Sequence, residues 1–159
     1  HAASAQEAYG WEDADLREWF GASTPSSTRW YDAIADAANE EVEEVPVVAE
    51  IQPGDILAIK SRHTMIVASA PQLIADPPAA SLVDGTTQYA VSVIDGTDSK
   101  HGASDTRALS GGGIGQGVCK LYAHTDGTLA GYSWSDAASS TYYSAGTRPV
   151  VVGRLAKAE

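Results

Sequence analysis

Thr125-Asp126-Gly127-Thr128 stands between two stretches, 117–124 and 128–134, in which apolar residues alternate with others. Asp-Gly supplies the backbone angles that a two-residue hairpin turn demands, so the flanking strands must run antiparallel. In a strand, side chains alternate between faces, which places Cys119, Leu121 and Ala123 together on an apolar side. Four further strands are expected over 55–60, 63–69, 89–94 and 150–155. Pro53-Gly54-Asp55 reads as a tight turn into the first of them. The stretches 71–85 and 110–115 read as surface loops, and Pro46 lies in an extended link over 45–51.

Before Val45 the periodicity is helical. Leu16, Trp19 and Phe20 follow i, i+3, i+4 spacing, and Asp13 is placed to cap free N–H groups. Gly21 and the Ser/Thr/Pro stretch after it end that helix. A second is expected from about 29 to 39, with Trp30, Ile34, Ala37 and Ala38 on one side. Glu40, Glu41, Glu43 and Glu44 read as a solvated helix end and link. Helices followed by a meandering sheet form an α+β pattern. The expectation is a single domain over 1–159, with a helical part (1–45) packed on a β part (46–159). The β part would be a curled antiparallel sheet of about six strands.

Charge narrows the partners. Lys and Arg total 10 against 21 Asp and Glu, a net charge of -11, and the six arginines are scattered. A polyanion would be repelled, so no nucleic-acid partner is expected; a cationic or neutral ligand is electrostatically easier. No apolar run is long enough to span a membrane. One cysteine rules out an internal disulfide framework and a Cys-rich zinc site, and neither a metal nor a cofactor is expected. The chain begins at His1, which is given no functional role; Ala2-Ala3-Ser4-Ala5 suits either the end left by signal-peptide cleavage or a helical start.

His63 opens an apolar strand and shares its face with Met65 and Val67. It can be a strand-end histidine satisfied by a carbonyl, or a general base, since imidazole titrates near neutral pH. Asp95 ends a strand and shares a face with Val91 and Val93. It can be a turn residue before Gly96, or the acid that orients an imidazole. His101 reads as a loop residue with no metal partner at a convincing spacing, and Arg107 as a clamp on a loop carboxylate. Cys119 lies mid-strand on an apolar face, without the helix start or cation that lowers a thiol pKa, and reads as core. The glycine-rich run 111–117 leads into a strand, with no Lys-Ser or Lys-Thr after it, and reads as a flexible loop rather than a phosphate cradle. Ser26, Ser27 and Thr28 read as helix-capping residues. Trp11, Trp19, Trp30 and Tyr31 read mostly as core, with a groove for a sugar or peptide as the other option.

Ile51-Gln52-Pro53-Gly54-Asp55-Ile56-Leu57-Ala58, followed by His63-Thr64-Met65-Ile66-Val67, resembles the strand pair of NlpC-type papain-like cysteine peptidases and of CHAP amidases. The likeness covers roughly 51 to 155, and Val93-Ile94-Asp95 resembles the strand that orients the catalytic histidine. It implies a papain-like NlpC core and hydrolysis of peptide or amide bonds in cell-wall peptides, in the cell envelope or outside the cell. His63 would shuttle the proton and Asp95 would orient it. The partner would be a peptidoglycan stem peptide or another peptide. The family's nucleophile is a cysteine opening a helix upstream of the Pro-Gly-Asp turn, and no cysteine lies between His1 and Pro53. The implied domain is therefore incomplete or inactive as the chain stands, or a non-catalytic module that binds the same peptides or a protein partner.

Overall fold

Alternation along the strands gives one sheet two apolar faces, and each face has its own cover. The computed structural model describes residues 13–107 and 112–156. Two short helices come first, α1 (Asp13–Phe20) and α2 (Ser27–Ala35). The strands follow: β1 (Val42–Glu44), β2 (Ile56–Ile59), β3 (His63–Val67), β4 (Gln72–Leu73), β5 (Thr87–Thr97), β6 (Gly113–Ala123), β7 (Leu129–Ser133), β8 (Tyr142–Ser144) and β9 (Val150–Leu155). They form one sheet in the order β1-β9-β2-β3-β5-β6-β7-β8, with β4 added beside β5. Every pairing is antiparallel.

The inner face carries Leu57, Ile59, Met65, Val67, Val91, Val93, Cys119, Leu121, Tyr132, Val150 and Val152, all buried in one cluster. The outer face of β1, β9 and β2 contributes Val42, Val151, Ile56 and Ala58, which pack under Leu16, Phe20, Trp30 and Ile34 of the helices. Ser26 caps α2 by accepting the Arg29 N–H at 3.4 Å.

The sheet curls until its two ends meet. After β1, Val45 donates to the Val152 carbonyl at 2.8 Å, while Leu129 donates to the Pro46 carbonyl at 3.0 Å. Val47 bridges Thr128. The segment 45–48 thus joins β9 to the start of β7 and draws the inner face into a partly closed barrel.

These findings correct the α+β expectation. The described helices cover only 13–20 and 27–35, and the sheet has nine strands rather than about six, so the fold is mainly β. Part of the stretch read as a helix end is strand: Val42 is buried while Glu43 and Glu44 are exposed on β1. Three additions, β1, β4 and β8, are two or three residues long, too short to carry a period. Part of the glycine run read as a loop is also strand, because β6 begins at Gly113 and pairs residue for residue with β5. Ser110 and Gly111, Trp11, the stretch 1–5 and the Asp13 side chain lie outside the described residues.

The hairpin at Asp126-Gly127 forms, with a longer connection than expected. His124 donates to Thr128 and Gly127 donates back to the His124 carbonyl, closing a loop over 125–127 with Gly127 at φ 86°. Strand pairing shifts between Tyr122 and Ala123, as a bulge requires. No helix among the described residues is long and apolar enough to cross a membrane.

The Pro-Gly-Asp turn is anchored from far along the chain. Asp55 is 2% exposed, accepts the Gln52 N–H at 2.7 Å, and takes Arg154 Nε and Nη2 at 2.9 Å each. That fork ties the entry of β2 to the end of β9. Replacing Asp55 by Ala strands these donors and should lower the unfolding free energy by about 2 kcal/mol. Urea denaturation checks this; a loss under about 0.5 kcal/mol would show the fork to be an exposed pair of little weight.

Candidate functional site

The strand register brings His63 and Asp95 to one end of the inner face. β3 and β5 pair Val67 with Val93, and inward side chains recur every second residue. Moving toward the barrel mouth, Met65 and then His63 follow Val67, while Asp95 follows Val93. The two end side chains are diagonal neighbours, and His63 Nε2 lies 2.5 Å from Asp95 Oδ2. His63 retains 19% side-chain exposure and Asp95 retains none.

A carboxylate without water survives only if its oxygens are engaged. Arg107 Nη2 contacts Oδ1 and also donates to the Asp95 backbone carbonyl at 2.7 Å. His101 Nε2 lies 3.1 Å from Oδ2, the same oxygen that His63 approaches. Arg107 Nη1 holds a second acid, Asp105, whose Oδ2 accepts the His101 backbone N–H at 2.8 Å. His101 is fully buried, its Nδ1 donates to the Trp134 carbonyl at 2.6 Å, and its ring stacks on the Trp134 indole at 4.1 Å between centroids. The edge of the same indole meets His63 at 5.3 Å.

Glycines let this loop lie across a strand. A Cβ on Gly117 would sit 2.6 Å from His101 Cβ and 2.7 Å from Asp105 Oδ2. One on Gly115 would sit 2.5 Å from Arg107 Cγ. From Gly113 on, the run that looked like a flexible loop is a strand kept bare on one face so that His101, Asp105 and Arg107 can press onto it. Glycine at alternate positions was the available signal for that close approach.

His63 is a weak base in this setting. Burial, and then the positive charges of His101 and Arg107, push its pKa from 6.5 down to about 4. Burial also pushes His101 down, against the Trp134 carbonyl and Asp105, which pull it up.

The other candidates go elsewhere. Cys119 pairs with Val91 inside the core, is 1% exposed, and burial pushes its thiol up to about 12, the opposite of an activated nucleophile. Ser26 is occupied as the helix cap, and Trp30 is in the outer core. Arg107, expected to clamp a loop carboxylate, holds Asp105 and also Asp95. Neither His101 nor Asp105 was singled out by the sequence as part of a site. Among the described residues, no group of three or more His, Cys, Asp or Glu side chains is arranged to hold a metal ion.

Two outcomes follow. Gly117→Ala should displace the 98–107 loop, cost roughly 1–3 kcal/mol and move the His63 imidazole NMR signals; unmoved signals would deny the close packing. The second concerns pH. Folded His63 binds its proton near pH 4 and the unfolded chain near 6.5, so the unfolded state holds more protons between those values. Stability therefore falls as pH drops through that window, by at most about 1.4 kcal/mol per pH unit for this group. His63→Gln should flatten the profile there in urea denaturation at stepped pH, and equal slopes would show that His63 is not depressed.

No family model and no solved structure matches the chain. A protein of Acanthamoeba polyphaga mimivirus, described as "Uncharacterized protein R653", is 33% identical over 157 residues, covering 89% of this chain and 68% of that protein. That name carries no activity, but identity over this span is kinship: the chain belongs to the family of mimivirus protein R653.

Proposed function

We propose that the chain carries the base-and-orienter half of a cysteine-hydrolase site of the NlpC/CHAP kind, directed at peptide or amide bonds of cell-wall peptides. One observation carries the reading: the 2.5 Å contact between His63, which keeps a solvent-facing edge, and fully buried Asp95. A structural histidine needs no ionised acid locked behind it. A proton-shuttling histidine does, because the acid fixes the tautomer and stabilises the imidazolium formed in the reaction.

The chemistry follows from the ring. With Nε2–H donated to Asp95, Nδ1 keeps its lone pair on the other side. There it can take the proton of a thiol as the sulfur attacks a carbonyl, and return it to the leaving amine. The sulfur cannot be Cys119, which is sealed in the core. It would come from a segment of the gene product outside this chain. Such a hydrolase would work in the cell envelope or outside the cell.

A second reading is a module that binds cell-wall peptides without cutting them. It is favoured by the lack of any thiol beside His63 among the described residues.

The full-length gene product decides between them when incubated with a peptidoglycan stem peptide and assayed by chromatography for released amines. The hydrolase reading expects cleavage that falls by at least about a hundred-fold in His63→Ala with the fold retained. Undiminished cleavage in that variant overturns the role of His63. Saturable binding of the stem peptide with no cleavage by the wild type selects the binding module.

A further inference from the structure

We infer that His101 is a positioning residue of this site: a second, buried histidine on the Asp95 carboxylate that fixes the orientation and tautomer of His63. The inference rests on reading His63 as the working base, but its geometry stands without any substrate.

Three contacts hold the His101 ring. Its Nδ1 must carry a proton, because the Trp134 carbonyl at 2.6 Å can only accept. One face lies on the Trp134 indole, and its backbone N–H is tied to Asp105. A flip of the ring would break the contacts of both its nitrogens, with the Trp134 carbonyl and with Asp95. Its Nε2 is therefore kept on Asp95 Oδ2, the oxygen that His63 also uses. Arg107 holds the other oxygen, and Asp95 cannot rotate to offer a different one.

One oxygen between two ring nitrogens couples the rings. A proton in the His101–Asp95 contact, on nitrogen or on oxygen, changes what His63 meets 2.5 Å away. The groups facing the trio are Arg107 and Asp105 from the loop and Trp134 from the end of β7; all three engage His101 or Asp95 directly. His63 alone retains access to solvent, so it alone exchanges protons with a ligand.

Imidazole 15N–1H NMR of the chain tests this without substrate, on wild type, His101→Phe and His101→Gln. Phe keeps the stack on Trp134 but removes both nitrogens, and Gln restores one polar contact to Asp95. The wild type should show His63 in one tautomer, protonated on Nε2. His101→Phe should give mixed tautomers, with the His63 titration midpoint rising by roughly one pH unit, a ten-fold gain in proton affinity. His101→Gln should recover part of the single tautomer. A folded Phe variant with His63 tautomer and midpoint unchanged overturns the inference, whatever becomes of hydrolysis. If neither variant folds, the wild type decides, because an unprotonated His101 Nδ1 contradicts the locked ring and overturns it equally. Failure of stem-peptide cleavage leaves these outcomes untouched, so the two proposals fail separately.

Discussion

Asp95 is an acid at the rim of an apolar barrel with no surface left to water. Placing an ionised carboxylate there costs several kcal/mol unless both oxygens are engaged and the charge is balanced. Arg107 supplies the balance, and the loop over 98–107 exists in its present shape because Arg107 must reach back under β5. That loop could not settle on β6 if Gly115 and Gly117 carried side chains. The buried carboxylate thus sets the path of a loop, the composition of a strand and the exposure of His63.

The barrel makes the site rigid. β5 and β6 pair over eleven residues each, from Thr87 with Ala123 to Thr97 with Gly113, and the site sits at the far end of that ladder. Inward side chains below it, Val93, Val67 and Cys119, belong to the continuous core. The β3–β5 register, Ile66 with Ile94 and Val67 with Val93, sets which backbone positions carry the dyad, because a one-residue slip would turn every buried side chain outward. The adjacency of the dyad is a consequence of register.

Much of this was legible in the sequence, and the rest was hidden for physical reasons. His63 and Asp95 each end an apolar alternation, so their face was readable, and strand adjacency brings them together. The Asp-Gly signal located a hairpin correctly, but Gly127 serves as the left-handed residue of a longer loop, since turn composition does not fix loop length. The fold class was misjudged because β1, β4 and β8 take their places from neighbours rather than from pattern. β1 is an acidic stretch whose buried residue, Val42, gives a period nothing to repeat. His101 and Asp105 were hidden because a loop has no periodicity; only the bare face of β6 recorded that something lay against it. Arg154 likewise looked like one of several scattered cations, although it closes the turn at Asp55 from ninety-nine residues away.

The low proton affinity of His63 says what is needed on its open side. An orienting acid normally raises the basicity of its histidine, yet Asp95 is also engaged by Arg107, itself shared with Asp105, and by His101. Burial and those two positive groups then carry the pKa to about 4. A base so depressed stays unprotonated at neutral pH but accepts a proton only at a large free-energy cost, far from the match that efficient proton transfer wants. A neutral hydroxyl at Nδ1 would not change this balance. An anion there would, because a negative charge within about 4–6 Å favours the imidazolium. A thiolate is such an anion, and thiolate and imidazolium stabilise each other. A hydrolase of the proposed kind would supply that charge at Nδ1 through its ionised thiol.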